Sequence, residues 1–273
     1  SDLFVMRKNA WVICCCTAVL AAFGTFFRWL QDQVCFEAET GLAVRGSIWP
    51  YAVALMIVIA AVVLAVVCFR MKNQPHTSFP DSLPAAFVAA PRVRTIGGVV
   101  LGALLAVGGA WLMISSGTLS SPGLQRVLAA LTIVTGAAFI WQMLSIGDGE
   151  TTSGTVVCAS MPIVLLVFWL IVSYKVNIIN PTISAYAVEI LALCAALIAF
   201  YELAGFAYGR PKATRSIFWS QFAAFLCITA LPDDRTGGQQ LMLAAIAGML
   251  LFQSYLTASN IRPAVSGPVG GAQ

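Results

Sequence analysis

Runs of about 20 predominantly apolar residues recur along the chain, and that is the length a helix needs to cross a hydrocarbon core of roughly 30 Å. They occupy residues 9–30, 49–69, 95–115, 124–146, 155–174, 184–208, 215–232 and 239–258, separated by short polar stretches. Each run is continuously apolar, without the alternation over ~10 residues that marks a transmembrane β-strand, so a β-barrel is excluded. Lipid offers no water to the backbone, and a crossing segment of this kind must satisfy its peptide groups internally as a helix. The expected fold is an all-α integral membrane protein, a polytopic bundle of about eight transmembrane helices. It forms one domain over residues 1–262, with both termini cytoplasmic and a flexible tail at 263–273.

Composition agrees. The chain is 60% hydrophobic and 10% charged, with a mean hydropathy of +0.89, against about a quarter charged in a soluble domain. The partner this implies is the lipid bilayer. The net charge of +4 does not point to nucleic acid, because the basic residues sit where topological signals belong. With the N-terminus inside, Arg7, Lys8, Arg70, Lys72, Arg92, Arg94, Arg210, Lys212, Arg215 and Arg262 fall on the cytoplasmic side, ten of the fifteen basic residues. Arg28, Arg45, Arg126, Lys175 and Arg235 fall outside. The inner segment GDGETTSG carries neither Lys nor Arg and is where an eight-span scheme is weakest.

Arg7 and Lys8 before an apolar run imitate a signal peptide, but the run closes in Phe26-Phe27-Arg28-Trp29 instead of a small-residue cleavage site. It is expected to stay as the first span. Of eight cysteines only Cys35 lies in a connecting segment, so no disulfide framework or Cys-x-x-Cys metal spacing follows. The longest connection, 70–94, contains a short helix that Ser82 can cap, entered at Pro84 and closed by Pro91. Leu83, Phe87 and Val88 form its apolar side, directed either to the membrane interface or into the bundle.

Ionisable groups inside spanning helices are costly, so they default to functional candidates, and the sixth span carries the acidic ones, Glu189 and Glu202. Thirteen residues of helix put them roughly 20 Å apart, too far for one paired-carboxylate site. As structural residues, Glu189 pairs with Lys175 or Arg28 and Glu202 with Arg210, Lys212 or Arg215. As functional residues, they flank a cation or proton path along that span, with Tyr186, Tyr201 and Tyr208 supplying hydroxyls. Gln142, Gln221 and Gln253 need buried partners, from neighbouring helices or from a polar ligand. Pro162 interrupts the fifth span, a feature of discontinuous transporter helices and of simple kinks alike.

Gly98 and Gly102 form a Gly-x-x-x-Gly in the third span, extended by Gly108 and Gly109, which predicts close helix packing. The facing helix belongs to this chain by default, with a homo-oligomer or another membrane subunit as the other choices. The tryptophans lie mostly towards span ends, as interfacial anchors do. The single histidine, His76, sits in a connection, so paired haem ligands and a His-Glu-x-x-His zinc site have no residues to use. The last span has no lysine for a retinal Schiff base, and no Walker-type phosphate loop is present. No cofactor, no metal and no enzymatic activity are expected.

Glu39-Thr40-Gly41-Leu42 after the first span, and Tyr201-Glu202-Leu203-Ala204-Gly205-Phe206-Ala207-Tyr208-Gly209-Arg210 closing the sixth, resemble segments of uncharacterised bacterial multi-pass membrane proteins. That resemblance implies a bacterial cytoplasmic (inner) membrane and carries no activity or residue role with it. The reading reached from the residues is a transporter or permease-like component for a small solute or ion, with the sixth span lining the path. The alternative is a non-catalytic scaffold or accessory subunit of a larger membrane complex.

Overall fold

The computed structural model describes residues 2–35, 47–73, 77–88, 91–118, 121–146, 152–178 and 183–263. Glu39-Thr40-Gly41-Leu42, Arg45, His76, the 147–151 part of the inner segment and the tail beyond residue 263 lie outside them. The described chain is helical: α1 (Asp2–Val34), α2 (Trp49–Lys72), the short α3 (Leu83–Ala86), α4 (Pro91–Ser115), α5 (Pro122–Ser145), α6 (Ser153–Asn177), α7 (Ile183–Ala207), α8 (Ala213–Thr229) and α9 (Gly237–Ser259). Seven of them, α1, α2, α4, α5, α6, α7 and α9, are long and apolar enough to cross a membrane. The chain is a multi-pass helical membrane protein.

The apolar run at 215–232 behaves differently from the expectation. It folds as α8, with 17 residues and about 25 Å of rise, short of the other long helices. Pro232 explains the early stop, because a proline cannot continue the ladder and disfavours helix in the residue before it. Ala230 to Pro232 are therefore turns, and Thr236 restarts the chain by accepting a hydrogen bond from the Gln239 N–H at 3.4 Å.

Side-chain contacts give the direction of each helix. At one end, Arg28 near the close of α1 meets Asp233, just before α9, and the Ser184 carbonyl at the start of α7. At the other end, Glu202 near the close of α7 meets Arg215 at the start of α8, while Trp11 of α1 packs edge-on against Tyr255 of α9 with centroids 5.3 Å apart. Thus α8 joins the two ends, antiparallel to α7 and α9. Helices α4, α5, α6, α7, α8 and α9 follow one another as neighbours and close a ring through α4 and α9, while α1 and α2 flank α8.

Burial tracks this order. Only 28% of the most apolar window of α1 or α2 is covered by protein, against 67% in α9. In α8, Ser220 to Cys227 are all buried. Valine and isoleucine rows such as Val58, Val62 and Val66 on α2, and Val164, Val167 and Ile171 on α6, remain exposed and form the lipid-facing wall.

The glycines settle one packing question. A Cβ on Gly98 would meet Met143 Cβ at 2.5 Å, and one on Gly102 would meet Ile140 Cγ1 at 2.5 Å and the Gly136 carbonyl at 2.7 Å. Gly109 also faces α5, whereas Gly108 faces Met242 of α9. The helix met by the small-residue face of α4 is therefore α5 of the same chain.

Three local expectations change. Pro162 lies inside α6, which continues unbroken to Asn177. In α3, Ser82 makes no capping hydrogen bond through its side chain, and the helix ends at Phe87, well before Pro91. Leu83 and Phe87 are fully buried and Val88 is exposed, so α3 turns its apolar side into the bundle. Asn260 holds it there, donating to the Ala86 and Val88 carbonyls at 2.8 Å each. Pro263 is not the start of a loose tail: Thr77 pairs with Pro263 and Ser78 with Arg262 in a short antiparallel ladder.

Candidate functional site

The sequence of α1 carries Arg28 and Asp32 one helical turn apart at the end of an apolar run, so both side chains emerge on the same face. Asp233, Asp234 and Arg235 occupy the turn that Pro232 forces between α8 and α9. The bundle brings these two acid–base groups against Glu189 of α7 and the polar close of α6. Arg28 Nε donates to Asp233 Oδ1 at 2.6 Å, and Arg235 Nη2 donates to Asp233 Oδ2 at 2.8 Å. Asp233 thereby bridges two guanidinium groups, each side chain at most 6% exposed.

Glu189 closes the network. Its Oε2 lies 3.2 Å from Arg235 Nε, and its Oε1 accepts from Ser173 Oγ at 3.1 Å. Ser173 is itself steadied by Asn177, whose Nδ2 donates to the Ser173 carbonyl at 2.9 Å. Arg28 Nη1 also donates to Gln31 Oε1 and to the Ser184 carbonyl, both at 2.9 Å. Four segments of the bundle are joined by charge-assisted hydrogen bonds, which are shorter and stronger than neutral ones.

Beside this network opens a cavity of about 490 Å³, lined by Arg28, Asp32, Gln33, Asn177, Tyr186, Glu189, Pro232, Asp233, Asp234 and Arg235. Gln33 and Asp234, both exposed, mark its mouth. The volume lies within the range of small-molecule sites, ~300–1,000 Å³, but the lining is far more polar than usual. A smaller cleft of about 140 Å³ between α1, α2 and α7 shares Arg28 and is mainly apolar, with Val53, Ile57, Val188 and Leu191 among its walls.

Of the residues singled out from sequence, Glu189 and Tyr186 border this cavity. The base facing Glu189 is Arg235, and Lys175 is exposed at the end of α6. Glu202 lies at the opposite end of the bundle, 2.6 Å from Arg215, whose side chain is 57% exposed. Tyr201 points outward, and Tyr208 shares a hydrogen bond with Ser160 at 2.9 Å. Gln142 is buried within α5. Gln221 joins three helices: its Oε1 accepts from Thr17 at 2.6 Å, and its Nε2 donates to Ser254 Oγ at 3.0 Å.

Sequence reasoning passed over Asp32 and Asp233, took Arg235 only as an orientation signal, and offered Arg28 as an orientation signal and a partner for Glu189. The signal that distinguishes them is spacing. An arginine and an aspartate four residues apart at the end of an apolar run, with an Asp-Asp-Arg string at a proline-enforced turn, indicate charges meant to be buried together.

Among the described residues no cluster of His, Cys, Asp and Glu has the makeup of a metal site. No protein-family model, no curated protein and no solved structure matches the chain.

Proposed function

We propose that this protein is a membrane-embedded solute carrier of the permease kind, and that the cavity beside Glu189 is its solute site. The observation that carries this reading is a cavity of about 490 Å³ whose wall is built from buried, hydrogen-bonded charges inside an otherwise apolar bundle. Charges placed among membrane helices are expensive and mark solute or ion pathways when they border a hydrated space. Glu202, tied to Arg215 at the opposite end of the bundle from this cavity, serves as an anchor between α7 and α8 in this reading. The scaffold alternative draws less support, because Gly98 and Gly102, its best docking face, are covered by α5.

The topology that goes with this proposal has α8 as an eighth crossing, since it joins the two ends of the bundle. Both termini are then on the cytoplasmic side by the excess of Lys and Arg there, in a bacterial inner membrane. The cavity, on the Arg28 end, opens to the opposite side.

Uptake of a panel of labelled small solutes into proteoliposomes tests the reading. At least one solute should enter faster than into protein-free vesicles, Glu189→Gln should slow it severalfold or more, and Glu202→Gln should leave it near the wild-type rate. A panel in which nothing moves, or a rate indifferent to Glu189→Gln, rejects the proposal.

A further inference from the structure

The cavity wall has a definite charge surplus. Arg28 and Arg235 contribute two positive charges, and Asp32, Glu189, Asp233 and Asp234 contribute four negative ones, a balance of −2 when all are ionised. Most of this charge is already committed. Asp233 is shared by both arginines, and Glu189 is held by Arg235 and Ser173. Asp234 faces solvent at the mouth.

Six buried side-chain atoms among the described residues stay without a hydrogen-bond partner, and two of them belong to residues lining the cavity: Asp32 Oδ2 and Arg235 Nη1. Asp32 is held loosely, its Oδ1 lying 3.8 Å from Arg28 Nε. The Arg235 side chain is only 5% exposed, so its spare N–H group cannot turn to bulk water. Unpaired buried donors and acceptors are costly, and in a binding site they are the groups a ligand satisfies.

We propose that the cavity selects a small primary ammonium compound of net charge +1 that also presents a carbonyl or hydroxyl oxygen. Its ammonium donates to Asp32 Oδ2 and offsets the negative surplus, while its oxygen accepts from Arg235 Nη1. This rests on the solute-site reading above and narrows it to a substrate class. An anion meets the surplus negative charge. A bare cation leaves Arg235 Nη1 unsatisfied, and a quaternary amine has no N–H group to give Asp32. Tyr186 and Asn177 add polar groups to the lining.

Isothermal titration of the purified protein in lipid nanodiscs, with four probes, decides the matter. Glycinamide carries both groups, ethylamine only the ammonium, tetramethylammonium a charge without a donor, and acetate the wrong sign. Glycinamide should bind saturably, at least tenfold tighter than ethylamine, with no measurable binding of the other two. Asp32→Asn should weaken glycinamide at least tenfold, and Asp32→Glu should retain part of the affinity. The probe ranking on the unmutated protein stands as a test even if a variant fails to fold. The class is wrong if glycinamide does not bind, if tetramethylammonium or acetate equals it, or if Asp32→Asn leaves its affinity unchanged. Glycinamide binding without flux of any solute rejects transport and keeps the site; flux of another solute without glycinamide binding does the reverse.

Discussion

Asp233→Asn is the substitution with the largest expected consequence for stability. The carboxylate accepts from Arg28 at 2.6 Å and from Arg235 at 2.8 Å. An asparagine keeps one acceptor oxygen and turns an NH₂ group towards the other guanidinium, so one charge-assisted hydrogen bond is lost, and the Arg28 guanidinium is left with the more distant Asp32 carboxylate, 3.8 Å away, while Arg235 keeps Glu189. A hydrogen bond to a charged group contributes about 1.5–3 kcal/mol, and stranding a buried charge costs ~3–5 kcal/mol. The loss falls where the two ranges meet, about 3 kcal/mol, since the Arg28 and Arg235 side chains are 1% and 5% exposed but Asp32 and Glu189 stay beside them. At about 2–4 °C per kcal/mol for chains of this order, the melting temperature should fall by roughly 10 °C.

A thiol-reactive fluorophore reads this directly in detergent, because Cys68 and Cys227 are buried and become labelled on unfolding. Glu202→Gln is the control. Its partner Arg215 is 57% exposed, so solvent screening limits the loss to about 1 kcal/mol or less. If Asp233→Asn melts within ~2 °C of wild type, or if Glu202→Gln costs as much, the account of the Arg28 end as a desolvated network is wrong.

Gly102→Ala should destabilise by about 1–3 kcal/mol, because its Cβ would press on Ile140 and the Gly136 carbonyl, whereas Gly123→Ala, with nothing within 4 Å, should be neutral in the same melt. Gln221→Leu removes the bonds to Thr17 and Ser254 and should cost ~1–2 kcal/mol; no change would show that α1, α8 and α9 are held by packing alone. Asn260→Ala frees the Ala86 and Val88 carbonyls and should speed amide exchange across residues 83–88 while leaving α5 unaffected.

The helices were legible because hydrocarbon imposes one solution on a long apolar run, and observed boundaries fall within a few residues of those runs for α2, α5, α7 and α9. α8 was legible as a helix but not in its end, since Pro232 sits inside an otherwise apolar stretch and acts on the backbone, which hydropathy does not register. Glu189 stood out because an acid in a spanning run is conspicuous. Its partner was not legible: Arg235 is far along the chain and lies in a turn, and only the parallel arrangement of α7 and α9, linked by the antiparallel α8, brings the two together. Asp32 and Asp233 were masked for the same reason, because span-end charges are common and nothing local separates an anchored charge from a buried one.

The ion pair between Arg28 and Asp233 joins positions 205 apart in sequence, and Thr17 reaches Gln221 across 204. A ribosome building the chain from its N-terminus therefore delivers Arg28 to the bilayer when Asp233 has yet to be synthesised. At first the guanidinium has what travels on its own helix, Gln31 and Asp32, and later the Ser184 carbonyl. The last hairpin to emerge then supplies the permanent counter-ion, and the aspartate that escorted the arginine inward is left with an oxygen to spare.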